Sequence, residues 1–208
     1  STGINYLGGS GAIRGNYIGV DASGNTALAN SSHGMSISTS SGPIQIGGTT
    51  AEEGNVISGN ANAGLATSVT IENAVTVYGN RIGTNAAGTA AVPNGGAGVS
   101  ISHLGTIGGS APGQGNLISG NTGNGISFIN YNVSYAFTIQ GNYIGVDVTG
   151  LNALPNGGDG IHAYYHHAII GGTTAGAGNV IVAGAGRYGI LAHGYTHTIQ
   201  GNTIGVNI

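Results

Sequence analysis

Seven Gly-Asn pairs recur along the chain, and in every case the residue two places after the asparagine is isoleucine. The asparagines are Asn16, Asn55, Asn80, Asn116, Asn142, Asn179 and Asn202. The isoleucines are Ile18, Ile57, Ile82, Ile118, Ile144, Ile181 and Ile204, and the residue between each pair varies freely. Fixed, variable, fixed is the pattern of a strand with one face turned inward, repeated once per turn of a solenoid. A second marker, Gly followed by an aliphatic residue, precedes each pair at Gly3-Ile4, Gly34-Met35, Gly64-Leu65, Gly98-Val99, Gly125-Ile126, Gly160-Ile161 and Gly189-Ile190. Strict alternation of the two markers predicts about seven coils, roughly 34 Å of stacked strands.

The coils alternate in design. Odd coils carry a long excursion after the isoleucine, such as "GVDASGNTALANSSHG"; even coils carry theirs earlier, such as "IGGTTAEEGN". Each type is expected to stack along its own corner, with Gly and Pro supplying turn chemistry. The repeated Asn is expected at a bend, pointing inward and stacking its amide on that of the next coil. No segment sustains a helical period. The reading is all-β: one right-handed parallel β-helix over residues 1–208, with no cap at either end.

Composition narrows the partners. Gly is 44 of 208 residues without a strict third-residue period, which excludes collagen. Three Arg, no Lys and six acids cannot build the basic footprint that nucleic acid requires. No apolar run is long enough for membrane insertion, and the absence of cysteine removes disulfides and thiolate metal sites. A polar, almost uncharged chain starting at Ser1 without Met fits a processed protein that is secreted or held at the cell surface.

The phrasing "GNLISGNTGNGISF" resembles the parallel β-helix repeats of bacterial surface and secreted proteins in the pectate-lyase-like right-handed β-helix superfamily. The resemblance covers essentially the whole chain and implies the fold. That scaffold serves lyases, hydrolases, tailspikes, adhesins and structural proteins alike, so the resemblance leaves function open.

Polysaccharide lyases of this kind imply a basic residue and clustered carboxylates, yet Arg14, Arg81 and Arg187 lie on well separated coils. Asp21 and Asp147 occupy one repeat position four coils apart, and Asn85 and Asn207 fill the same place elsewhere. An Asp/Asn exchange at a turn reads as an Asx cap, not as a hydrolytic carboxylate pair. Glu52-Glu53 reads as a solvated tip. No catalytic residue, metal site or cofactor is expected, and a non-enzymatic role is favoured.

Tyrosine and histidine gather toward the end of the chain. Tyr131, Tyr135, Tyr164, His166, His167, His193, Tyr195 and His197 are expected on one corner of three adjacent coils, as a contact or ligand patch. Counting from the markers pairs Tyr164 with His193 and puts Phe137, His167 and His197 in one row. Stacked His167 and His197 supply too few ligands for zinc. The Thr-x-Thr rows that an ice-binding face needs are not visible.

The first and last coils begin and stop directly on the markers. Ile4, Leu7, Ile204, Val206 and Ile208 are therefore expected to form an end-to-end interface, heterologous and propagating. The functional expectation is an extracellular structural solenoid that stacks on itself into a filament or surface layer. The alternative is a carbohydrate-binding or polysaccharide-cleaving β-helix.

Overall fold

The computed structural model describes residues 1–39, 42–69, 75–102, 105–128, 136–164, 167–194 and 196–205. It is an all-β parallel solenoid, with no helix among the described residues. Three parallel sheets of seven strands each wrap one core. The first sheet runs from Ile4–Leu7 to Ile190–His193, the second from Gly11–Ile13 to Thr198–Gln200, and the third from Tyr17–Ile18 to Thr203–Ile204. Each rung adds one short strand to every sheet, so seven rungs are joined by six complete returns of the chain.

Both markers hold register throughout. The isoleucines two residues past the Gly-Asn pairs stand directly over one another in the third sheet, from Ile18 over Ile57 to Ile181 over Ile204. Those of rungs two to six are fully buried. The aliphatics of the second marker form an equivalent row in the first sheet, from Ile4 over Met35 to Ile161 over Ile190. Strands this short hold few hydrogen bonds, and what fixes them is the alternation of inward and outward residues along each one. The core is thin but continuous, running from Ile13 and Ile18 to Ile170 and Ile181.

At the corner between the second and third sheets the asparagines stack as an amide ladder. Each side-chain Nδ2 donates to Oδ1 of the next asparagine, at 2.8–3.0 Å from Asn16 through Asn202. The same Oδ1 also accepts the backbone N–H of the asparagine below, at 2.9–3.1 Å. The second Nδ2 hydrogen reaches a carbonyl of the rung beneath, as from Asn116 to Val77 at 2.7 Å. Both donors and both acceptor sites of a central amide are thus engaged, which is what burial at 0–1 % exposure demands.

A second ladder, which the sequence reading missed, stands at another corner. Asn30, Asn60, Asn94, Asn121 and Asn156 pass the same side-chain bond upward at 2.8–2.9 Å. All five lie four residues before the glycine of the second marker, so the signal was present in the spacing. It ends where the next rung carries "AGAGRYG" instead of an asparagine. The marker glycine is required by this corner. A Cβ on Gly64 would sit 2.8 Å from both the Gly98 carbonyl oxygen and the Ile82 methyl, and 2.9 Å from the Asn94 amide.

The excursions form two columns, as expected from their alternation. Odd excursions fold as small hairpins closed by single antiparallel bridges at Val20–Ala27, Thr84–Ala91 and Val146–Ala153. Each bonds to the excursion two rungs away, Ala86 N–H to the Gly24 carbonyl and Val148 N–H to the Gly88 carbonyl, both at 2.9 Å. Even excursions approach just as closely. At Gly113, with φ +80°, a Cβ would meet the Thr49 carbonyl of the excursion two rungs below at 2.0 Å.

Two stability measurements check this packing. Asn116→Ala strands the Asn80 donors and the Val77 carbonyl in a buried site, each orphan costing about 1–3 kcal/mol, so urea denaturation should report a loss of at least about 3 kcal/mol. Asn16→Ala, at the half-exposed start of the ladder, should cost about 1 kcal/mol. Thr67 sits inward between Ile37 and Ile101, and its Oγ1 is buried without a partner. Thr67→Val should therefore raise the unfolding free energy by about 1 kcal/mol.

Candidate functional sites

The acids of the excursions close turns. Asp21 Oδ1 accepts from the Ser23 hydroxyl at 2.8 Å and from the backbone N–H groups of Asn25 and Thr26. Asp147 Oδ1 accepts from the Thr149 hydroxyl at 2.6 Å and its Oδ2 from Asn152 at 2.8 Å. Asn85 does the same work in the intervening long excursion, accepting from Thr89 and Ala90. Hydrogen bonds to Ser23 and to Thr149 lead in holding the two carboxyls at about 2, below their ordinary 3.8. These carboxylates are acceptors saturated by their own loops, as an Asx cap should be.

Glu53 departs from the expected solvated tip. Its Oε2 accepts the Thr49 N–H at 3.0 Å, closing the even excursion, while Oε1 lies 2.6 Å from Arg14 of the rung below. Gln114 closes the next even excursion the same way, through Ala111 N–H at 3.1 Å. A side chain four residues after the bonded N–H in one turn and three after it in the other is the common device, and an amide serves as well as a carboxylate.

The Tyr/His corner divides in two. Tyr131, Tyr135, His166 and Tyr195 lie outside the described residues. Tyr164 pairs with His193 as expected, their rings parallel within 7° and 4.6 Å apart on the outer face of the first sheet. His162 joins them, 5.7 Å from the Tyr164 ring and 3.2 Å from Asp159 Oδ2. The expected row of Phe137, His167 and His197 is corrected by one residue. Ala136 pairs with His167 and Phe137 with Ala168, because Gly171 takes the strand position of Gln140 and not that of Gly141. His167 consequently faces out, its Nδ1 3.1 Å from the Thr196 carbonyl oxygen.

His197 faces in. Thr198 pairs with Ile169, which places His197 in the inward row of Phe137 and Ala168, both essentially fully buried. Burial lowers its pKa below the usual 6.5, with nearby His167 acting in the same direction and the His193 backbone opposing. Despite that backbone neighbour, neither ring nitrogen meets a hydrogen-bond partner of normal geometry. Among the described residues no three His, Cys, Asp or Glu converge as metal ligands.

Between the two excursion columns lies a groove of about 480 Å³ whose lining includes Thr50, Arg81, Pro112, Leu117, Tyr143 and Val148. Arg81 Nε is buried there without a hydrogen-bond partner, and the Tyr143 ring is 39 % exposed. No carboxylate or histidine lines it among the described residues, so it offers recognition groups without an acid–base pair. The outer face of the second sheet carries Gln45, Thr76, Thr106, Thr138, Ile169 and Thr198 in register. This threonine row was invisible from sequence spacing, and Gln45 and Ile169 interrupt it.

Of the residues expected at an end-to-end interface, Ile4 and Ile204 lie in the inward rows of the first and seventh rungs. Leu7 does not: it points outward in the row of Ser38 and is 72 % exposed, because its strand alternates from the inward Ile4 and Tyr6. Val206 and Ile208 lie outside the described residues. Comparison with protein-family models, with curated proteins and with solved structures finds no match to this chain.

The saturated turn carboxylates set a pH test. Groups held below their unfolded value stabilise the fold above it and lose that contribution as they protonate. The contribution of these two carboxyls should be level above pH 3.8 and fall as pH drops toward about 2. Asp147→Asn, which reproduces the Asn85 turn, should keep the fold while shrinking that acid limb in thermal melts followed by circular dichroism.

Proposed function

We propose that this chain is an extracellular structural β-solenoid, right-handed and of the pectate-lyase-like architecture, a single domain over 1–208 that stacks end to end into a filament or surface layer. The carrying observation is the polarity of the first asparagine ladder. Every amide donates toward the higher rung, so the two faces of the rod differ. At the first rung Asn16 donates to Arg14 and Asn55, and its Oδ1 accepts from none of the described residues. At the seventh, Asn202 turns its Nδ2 hydrogens to Ile170 and Gln200 carbonyls, and its backbone N–H bonds none of the described residues. A ladder that donates in one direction throughout is self-complementary, so a like rung at either end continues it.

Apolar rows support the same reading. Three inward rows start and finish on isoleucine, as Ile4 to Ile190, Ile13 to Ile199 and Ile18 to Ile204. Ile199 and Ile204 are 44 % and 46 % exposed at the seventh rung, against complete burial of the same rows at mid-stack. The contact is head-to-tail and does not close on itself, so it propagates. The low charge leaves little repulsion between subunits. A parallel strand edge is costly to leave bare and strongly templating. Right-handed winding is the form that parallel crossovers favour.

A second reading has its own observation. Arg81 with an unpartnered buried Nε and an exposed Tyr143 face in one groove suit an oligosaccharide laid along the rod. It concerns binding, and stands beside the structural role without replacing it.

Electron microscopy of the purified protein at high concentration tests the principal reading. Thin filaments with an axial repeat of about 34 Å, seven strand spacings, are expected. Discrete particles at every concentration, with sedimentation as a monomer or a side-by-side trimer, would refute it.

A further inference from the structure

The outward row of the third sheet has one member out of pattern. It runs Tyr17, Val56, Arg81, Leu117, Tyr143, Val180 and Thr203, with tyrosine at the first and fifth rungs and arginine at the third. In each of these three rungs the side chain lies under a hairpin glycine of positive φ. A Cβ on Gly24 would sit 3.0 Å from the Tyr17 ring, one on Gly88 3.4 Å from Arg81 Nε, and one on Gly150 3.0 Å from the Tyr143 ring. Arg81 thus holds a place for which the neighbouring odd rungs use tyrosine. The exchange is locally destabilising. The hairpin shuts the Nε hydrogen away from water without an acceptor, whereas the hydrocarbon edge of a tyrosine ring needs none.

No ion pair offsets that loss among the described residues: Arg14 is held by Glu53 and His162 by Asp159, and neither acid reaches Arg81. Its neighbours along the row are the aliphatic Val56 and Leu117. With Nε shut in, the terminal Nη nitrogens are the donors left to the groove between the excursion columns. The groove lining continues from Arg81 over Leu117 to the exposed Tyr143 ring, two strand spacings or roughly 9.6 Å along the rod. Thr50 and Ser110 add hydroxyls to its wall.

We propose, resting on the oligosaccharide reading above, that this groove takes a sulfated oligosaccharide, with a sulfate ester on Arg81 and a pyranose ring against Tyr143. The spacing fits, since a disaccharide laid along the axis covers the distance from the guanidinium to the ring. The charge fits as well. A lone guanidinium between Val56 and Leu117 is best met by an anion that gives up water readily, because the aliphatic surroundings do not replace its hydration. A sulfate ester spreads its charge over more oxygens than a carboxylate does, and is the more weakly hydrated of the two. The guanidinium is itself a weakly hydrated cation, so the pair forms with a small desolvation loss. Tyr143 offers an apolar face to the C–H side of a sugar ring. The hairpin over Nε holds the guanidinium in place beforehand, so little side-chain freedom is lost on binding.

Isothermal titration calorimetry of the whole chain tests this with cellotetraose, the same chain oxidised to carboxylates at its primary hydroxyls, and the same chain sulfated there. The sulfated probe should bind about tenfold or more tightly than the other two, with an affinity that falls as salt is raised. Arg81→Tyr, which brings in the residue found at Tyr17 and Tyr143, should abolish that preference. The same variant should raise the urea midpoint, because it removes a buried donor without a partner. Equal affinity for cellotetraose and the sulfated chain, or an Arg81→Tyr variant that binds the sulfated chain as well as wild type, would overturn the assignment while leaving oligosaccharide binding intact. Tighter binding of the carboxylated chain than of the sulfated one would overturn it in favour of a uronate. Failure of all the probes to bind would instead refute the oligosaccharide reading itself.

Discussion

The stacked asparagine amide is the interaction on which the rest of this structure depends. A thin solenoid must turn its backbone sharply three times per rung, and each turn brings N–H and C=O groups toward the interior, where water cannot serve them. An amide has two donors and two acceptor sites, and the ladder uses all of them: up to the amide of the next rung, and down to the amide and the backbone of the last. A carboxylate could not donate and a hydroxyl could not span both neighbours. The second ladder, from Asn30 to Asn156, solves the same problem at another corner.

With backbone demand met internally, the outside of the rod is free to vary, and the chain uses that freedom in alternation. Long hairpins on odd rungs and compact turns on even rungs each reach their neighbour two rungs away through backbone contacts. The two columns wall the groove that holds Arg81 and Tyr143. Charge plays little part. The acids at Asp21, Glu53 and Asp147 are spent as turn acceptors, which neutral Asn85 and Gln114 replace at equivalent places.

The repeat architecture also bears on how the rod would lose structure. Each rung touches only its neighbours, so stability is close to a sum of rung and interface contributions. Ile199 and Ile204 of the last described rung are 44 % and 46 % exposed. Partial burial lowers the His197 pKa and so couples that rung to pH in a range where the carboxylates are silent.

Repetition made the fold legible. Gly-Asn-x-Ile and Gly-aliphatic recur, so rung number, inward faces, the first ladder and the two excursion columns could all be read from spacing, as could the Asx role of Asp21 and Asp147. Placement went wrong where two copies of the repeat differ in local length. Gly171 looks like the glycine before an asparagine but stands where Gln140 does, and that single shift turned His167 outward and put Ala168 in the row of Phe137. Leu7 is apolar, yet strand alternation turns it outward and gives the inward place to Tyr6. The amino acids alone determined what kind of object this is, because stacking like on like needs no knowledge of distance. Only the tertiary structure decided which side chains share a row, since row membership depends on where each strand begins. From that came the unsatisfied Thr67 and the groove around Arg81.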